Sequence, residues 1–178
     1  MTIIGYDVVG GTTTDTDAIA YYFTETIAAS VLSSVFTYCG AVSGTQDIET
    51  AIYDLNGGIN LIGSASNTTS VNTTDGWKEN TWSSSQALNN EDYFLAVVGD
   101  GDVTYYYDTN LAHVNYTSFS ATGAWATRWP DPANTDSGSF DLDFSIYADT
   151  VRVIGKLAGP GGLAGAGGLA GPIGGNAR

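Results

Sequence analysis

The sequence predicts an all-β protein: an antiparallel β-sandwich of the jelly-roll kind, followed by an extended glycine-rich C-terminal tail. Three observations predict it. About ten short runs of β-branched and aromatic residues follow one another at regular spacing, separated by Gly, Asn, Asp and Thr. No segment carries the period of an amphipathic helix. Glycine then occupies every third position from Gly159 to Gly174. These features divide the chain into a sandwich over residues 1–151 and a tail over residues 152–178.

The runs justify themselves in order. Ile3 to Val9 reads as a first strand, and Gly10 to Asp17 as a polar loop. Ala18 to Thr24 places Ile19, Tyr21 and Phe23 at alternate positions, the mark of a half-buried strand. Val31 to Cys39 is the next strand, followed by Ile48 to Leu55. Asn56-Gly57-Gly58 is a strong hairpin signal and leads to a strand at Ile59 to Ala65. Asn67 to Asp75 reads as connection, and Gly76 to Trp82 as a strand carrying Trp77 and Trp82. Tyr93 to Val98 is apolar on both faces, so it belongs in the middle of a sheet covered on both sides. Gly99-Asp100-Gly101-Asp102 reads as a hairpin turn, with Val103 to Tyr107 as its return strand. Ala112 to Phe119, an aromatic loop from Gly123 to Pro132, and a closing strand from Phe140 to Ala148 complete the head.

Composition narrows the role. All nineteen acids lie at or before Asp149, and Lys78 and Arg128 are the only bases before Arg152, so residues 1–151 carry a charge of −17. Such a surface repels nucleic acid and anionic membrane, which excludes both as partners. No apolar stretch approaches the ~20 residues of a membrane span, so membrane insertion is not expected. Cys39 is the single cysteine and reads as a small apolar filler of its strand. Met1 leads into Ile3-Ile4-Gly5-Tyr6 with no basic leader, yet the Thr, Ser, Asn, Gly and Tyr content is that of proteins working outside cells. Export as part of a virion reconciles the two, with the virion exterior as the expected location and the cell surface as the alternative.

Catalytic signatures are missing. His113 is the only histidine and lies in an alternating strand with no nucleophile motif nearby. Asp141 and Asp143 share a strand face, an arrangement that nineteen acids produce by chance. No enzyme is expected. Asp100 and Asp102 offer hard oxygens to a Ca²⁺ ion, although Asp-Gly is ordinary turn chemistry. Calcium is thus the one possible cofactor. Tyr105, Tyr106, Tyr107, Trp125 and Trp129, with Asp131 nearby, form the candidate ligand or interface surface, alternation placing Tyr105 and Tyr107 on one face and Tyr106 on the other. Exposed, such rings suit a subunit interface or a sugar-stacking platform; turned inward, they are core.

Several segments in this order resemble a known module: I-G-Y-D-V-V-G-G, A-I-Y-D-L-N-G-G, Trp77 after a turn, Y-F-L-A-V-V-G-D-G-D-V-T-Y-Y-Y-D, W-P-D-P and F-S-I-Y-A. Together they resemble the jelly-roll module of phage virion proteins and of prokaryotic cell-surface proteins, which is related in architecture to carbohydrate-binding modules. The resemblance covers residues 3–148. It implies a jelly roll with no catalytic motif to transfer.

The tail has its own logic. Gly159, Gly162, Gly165, Gly168, Gly171 and Gly174 keep a strict three-residue period, with Leu157, Leu163 and Leu169 at a six-residue repeat over it. That period suits polyproline-II or collagen-like strands packed so closely that only glycine fits at the contact. A flexible linker has no reason to keep it. Extended at ~3.1 Å per residue, residues 156–175 reach ~60 Å, past a head ~40 Å across. Similar Leu-Ala-Gly-Pro-Gly-Gly runs end some phage structural proteins.

These observations imply a non-enzymatic virion structural protein, a capsid decoration, head fibre or tail-associated fibre. Its expected partners are itself, as a homo-oligomer with a trimer favoured, and other virion proteins. The alternatives are a carbohydrate-binding module that recognises a host surface glycan, and a subunit of a cell-surface filament.

Overall fold

The computed structural model describes residues 2–23, 30–55, 58–89, 92–109, 115–117, 129, 131 and 140–152. Eleven strands are present among them: β1 (Thr2–Gly5), β2 (Thr12–Phe23), β3 (Ser30–Ala41), β4 (Thr45–Asp54), β5 (Asn60–Leu61), β6 (Thr69–Asn72), β7 (Gly76–Leu88), β8 (Tyr93–Thr109), β9 (Asn115–Thr117), β10 (Phe140–Phe144) and β11 (Ile146–Arg152). The described residues contain no helix, and every ladder is antiparallel. The all-β, antiparallel class is therefore established.

β8 is the spine. β2 runs beside almost its full length, from Thr12 opposite Tyr107 to Phe23 opposite Tyr93. On the other side β4 covers Tyr93 to Gly99, β3 takes Val103 to Tyr105, and β10 takes Tyr107 to Thr109. Tyr93 to Gly99 is buried on both faces, as an apolar run without alternation requires. Its two faces feed two cores. Tyr93, Leu95 and Val97 join Leu32, Val35, Ile48 and Ile52, while Phe94, Ala96 and Val98 join Ala51 and Tyr53. Each fully buried aliphatic side chain contributes ~1.5–3 kcal/mol.

The hairpin expected at Gly99 to Asp102 does not form. These four residues stay within β8 and face a single residue of β2, Asp17, between the pairs Ala18–Val98 and Thr16–Val103. Gly and Asp here accommodate a bulge instead of a reversal. The neighbour of β8 changes at this point from β4 (Ile48 opposite Gly99) to β3 (Ala41 opposite Val103). The β-forming runs on either side each find long partners, and a continuous strand satisfies more backbone groups than a turn.

Two further expectations change. Thr12 to Asp17, read as loop, is strand: Thr12 to Thr16 pair with Tyr107 to Val103, and Thr104 donates its hydroxyl to Asp15 Oδ1 at 2.7 Å. Threonine is a good strand residue, but an all-polar run has no hydrophobic period to betray it. Thr69–Asn72, read as connection, is β6, which pairs with Thr45 to Ile48 and buries Val71. The strand expected over Ile59 to Ala65 shrinks to Asn60–Leu61, hairpin-paired to Tyr53 and Asp54. Beyond it the chain is held by specific bonds. Ser66 N–H donates to the Thr50 carbonyl at 2.8 Å, and Trp82 Nε1 to the Ser64 carbonyl at 2.8 Å. The buried Asn80 amide reaches the carbonyls of Ile48 and Asn67, both at 3.1 Å.

Among the described residues β1 pairs with β11 alone, Thr2 opposite Thr150, so the first and last described strands lie side by side at one sheet edge. Gly5 closes that pair at φ 101°, where a Cβ would lie 2.5 Å from the Ile146 carbonyl oxygen. Residues 153–178 lie outside the described residues, and with them every glycine and leucine of the tail repeat.

Candidate functional site

Among the described residues, Tyr105 and Tyr107 stand apart from Trp129 and Asp131. Tyr105 points into the larger core and is 1% exposed, with Cys39 as its register partner. Tyr107 is half-buried at the margin of that core, its ring 5.3 Å from that of Phe144. Trp129 lies at the opposite end of β8, half-buried against the smaller core with its ring 6.4 Å from Tyr53. Its indole N–H donates to Glu49 Oε2 at 3.0 Å, and Asp131 Oδ1 accepts the Leu61 N–H at 3.1 Å. Trp129 and Asp131 thus fasten their segment onto β4 and β5. Trp125 lies outside the described residues, as does His113.

Asp100 Oδ1 accepts the Asp47 N–H at 2.8 Å, and the Asp102 carbonyl accepts the Val42 N–H at 3.2 Å. Among the described residues, no three of His, Cys, Asp and Glu gather where they could hold a metal ion.

A different aromatic surface is present. On β3, Val35, Thr37 and Cys39 are buried, so the alternate residues Phe36 and Tyr38 project from the outer face. Register brings three more rings to them. β7 sets Trp77 opposite Tyr38, β11 sets Tyr147 opposite Phe36, and β8 carries Tyr106 outward beside the inward Tyr105. Phe36 and Tyr147 stack at 4.9 Å with 14° between planes. Tyr38 meets Trp77 at 5.4 Å and Tyr106 at 5.0 Å, both edge-on, and Trp77 meets Tyr147 edge-on at 5.0 Å. Each such pair adds ~0.5–1.5 kcal/mol beyond its buried area. All five rings are half-buried and form one continuous strip across four strands.

Carboxylates edge the strip. Tyr106 donates its hydroxyl to Asp75 Oδ2, and this bond, with burial behind it, pushes the phenol up to about 12. The Tyr147 phenol is also raised, by burial first and then by Asp149, Asp7 and Glu79 around it. Ser34 donates to Glu79 Oε1 at 2.7 Å. Asp149 Oδ1 is shielded from solvent and has no hydrogen-bond partner among the described residues. On β7, Lys78 stands opposite the inward Thr37 and donates to the Thr74 carbonyl at 3.1 Å. Such a surface can stack on flat or apolar groups, hold a cation over ring faces, and accept hydrogen bonds at its rim; it disfavours anions.

A second polar cluster is structural. Asp108 receives Tyr6 Oη–H at 2.6 Å and Gly11 N–H at 2.7 Å, one on each oxygen, while Gly10 N–H donates to Ser145 Oγ at 2.9 Å. Tyr6 and Gly11 hold the Asp108 carboxyl below its usual range, and burial with the Asp108 bond pushes the Tyr6 phenol up to about 12. The cluster clamps the segment between β1 and β2 onto β8.

Sequence reasoning missed the strip because its members come from four strands distant in sequence. The available signal was local: V-F-T-Y-C and I-Y-A each place large rings at alternate positions between small residues. No protein-family model matches the sequence, and no curated protein matches it significantly.

Proposed function

We propose that the chain is a non-enzymatic virion structural protein whose jelly-roll β-sandwich head stands on the particle exterior and whose tail, residues 152–178, anchors or trimerises it. Capsid decoration, head fibre and tail-associated fibre all fit. The virion setting rests on the ordered resemblance over residues 3–148 and on the acidic, lysine-poor head. The layered reading draws support from the two cores on opposite faces of β4 and β8. One observation carries the functional part: five half-buried rings, edged by carboxylates, lie on an outward sheet face. Such rings suit assembly contacts, because aromatic residues lose little side-chain freedom for the area they cover. The pairing of β1 with β11 supports the head-and-tail arrangement, since it brings the root of the tail to one sheet edge.

The test is the solution mass of the full chain and of a truncation ending at Gly155, by light scattering. A trimeric full chain with a monomeric truncation is the expected result. Equal masses for the two remove the tail as an association device.

The same strip favours a second reading, a carbohydrate-binding receptor-recognition module, because rings flanked by carboxylate acceptors also suit sugar faces and hydroxyls. Binding of soluble neutral glycans that is lost in Trp77→Ala and kept in Trp129→Phe would support it.

A further inference from the structure

We infer that the aromatic strip is the docking site for the C-terminal tail of a neighbouring copy of this chain. The inference rests on the reading of the strip as an assembly face and names its occupant.

Charge selects that occupant. Asp7, Asp75, Glu79 and Asp149 border the rings, and the shielded Asp149 Oδ1 lacks a hydrogen-bond donor among the described residues. Three of the five basic residues of the chain, Arg152, Lys156 and Arg178, lie in residues 152–178, which contain no acid. The tail is the one cationic segment of a strongly anionic protein. Its chemistry fits as well. A chain with glycine at every third position, together with Pro160 and Pro172, is pre-disposed to an extended polyproline-II form, and such segments dock on aromatic-lined surfaces. Its regularly spaced leucines can lie against the rings, and Lys156 can sit over a ring face.

Geometry points to a neighbour. Tyr147 lies in the strip, and β11 then runs away from it to Arg152, a distance of ~17 Å at strand rise. β11 thus carries the chain away from its own strip as far as Arg152, and a return to that strip needs a reversal. The 26 residues after Arg152 reach ~80 Å when extended, enough to cross to a second head. Head-to-tail docking is a heterologous contact, and it closes into a ring when the rotation is right, three copies giving the trimer.

The test uses the full chain, by light scattering across concentration at low and at high salt. The oligomer is expected to weaken as salt screens the charges. Trp77→Ala is expected to weaken association roughly tenfold, the worth of one good ring contact. Lys156→Glu and Glu79→Lys are each expected to weaken it, and the two together to restore it. Glu79 is exposed but accepts the Ser34 hydroxyl, so urea midpoints of its variants are measured beside the masses, and an unchanged midpoint assigns the loss of association to the contact. Excess synthetic peptide spanning residues 153–178 is expected to dissociate the oligomer. An oligomer that ignores Trp77→Ala and the charge swap, yet is lost on truncation at Gly155, overturns the inference while leaving the tail as a self-associating device. A full chain that is monomeric at all concentrations overturns it too. So does glycan binding at the strip that leaves the oligomer intact.

Discussion

Alkali is expected to unfold this protein partly through one thiol. Cys39 is fully buried in the larger core, with Tyr105 opposite it on β8. Burial pushes its thiol up from 9.0 to about 12, with a small downward pull from Lys78 and an upward one from Asp75. In the unfolded chain the thiol ionises near its ordinary value. Between these limits the unfolded state has lost a proton that the folded state keeps, so stability is full below pH 9 and falls as pH rises to about 12. Three pK units at ~1.4 kcal/mol each set a ceiling of ~4 kcal/mol, of which ~3 kcal/mol is gone by pH 11. The assay compares urea midpoints of the wild-type chain and Cys39→Ala at pH 8 and pH 11. Tyr6 and Tyr106 lose their protons over the same range in both proteins and drop out of the difference. Cys39→Ala is expected to be less stable at pH 8, by ~1–2 kcal/mol for the vacated volume, and to overtake the wild type by pH 11. Parallel losses in the two proteins would refute the reasoning. So would labelling of Cys39 by a disulfide reagent in the native state at pH 8 at the rate of an unfolded thiol.

Other outcomes follow from single contacts. Leu95→Ala empties a fully buried site between β2 and β4 and is expected to cost ~3 kcal/mol by denaturant unfolding. Because Asp108 is held below its usual range, its share of stability is present at neutral pH and lost as pH falls through the low folded value; Tyr6→Phe is expected to flatten the acid limb of thermal unfolding. Gly5→Ala forces a side chain into a positive-φ position against the Ile146 carbonyl and is expected to cost ~1–3 kcal/mol, seen as a lower melting temperature. Trp129→Phe removes the donor to Glu49 and part of the ring packed on the smaller core, and is expected to cost ~1–2 kcal/mol.

Apolar periodicity made much of the fold legible. Strands with an inward period, such as β3 and β4, and the doubly covered Tyr93 to Val98, could be read directly. What hid was whatever lacked that period: the all-polar Thr12 to Asp17, and the short Thr69–Asn72 whose single apolar residue, Val71, carries its burial. Gly99 to Asp102 misled for another reason. Turn-compatible residues are also bulge-compatible, and only the partner strands decide between them. The candidate surface was legible only as residue type. Aromatic content marked Tyr105 and Trp129, yet both stabilise the head from within or from a fastened loop. The rings that face outward were fixed by the register of β3 with β7 and β11, a property of pairs of strands.

The pairing of β1 with β11 also decides how the head bears load. Thr2 and Thr150 sit at the same end of that ladder, so tension between the beginning of the head and its tail would peel the two strands apart one hydrogen bond at a time, at low force. Tension on the tail of a head gripped at the β3 and β7 rings of that strip, Phe36, Tyr38 and Trp77, runs differently. It pulls β11 lengthwise along β3, whose partners extend from Thr37–Ile146 to Ser30–Arg152, so the bonds of that ladder are loaded together in shear. The same domain is therefore a weak link when held by its two ends and a firm one when held by its face.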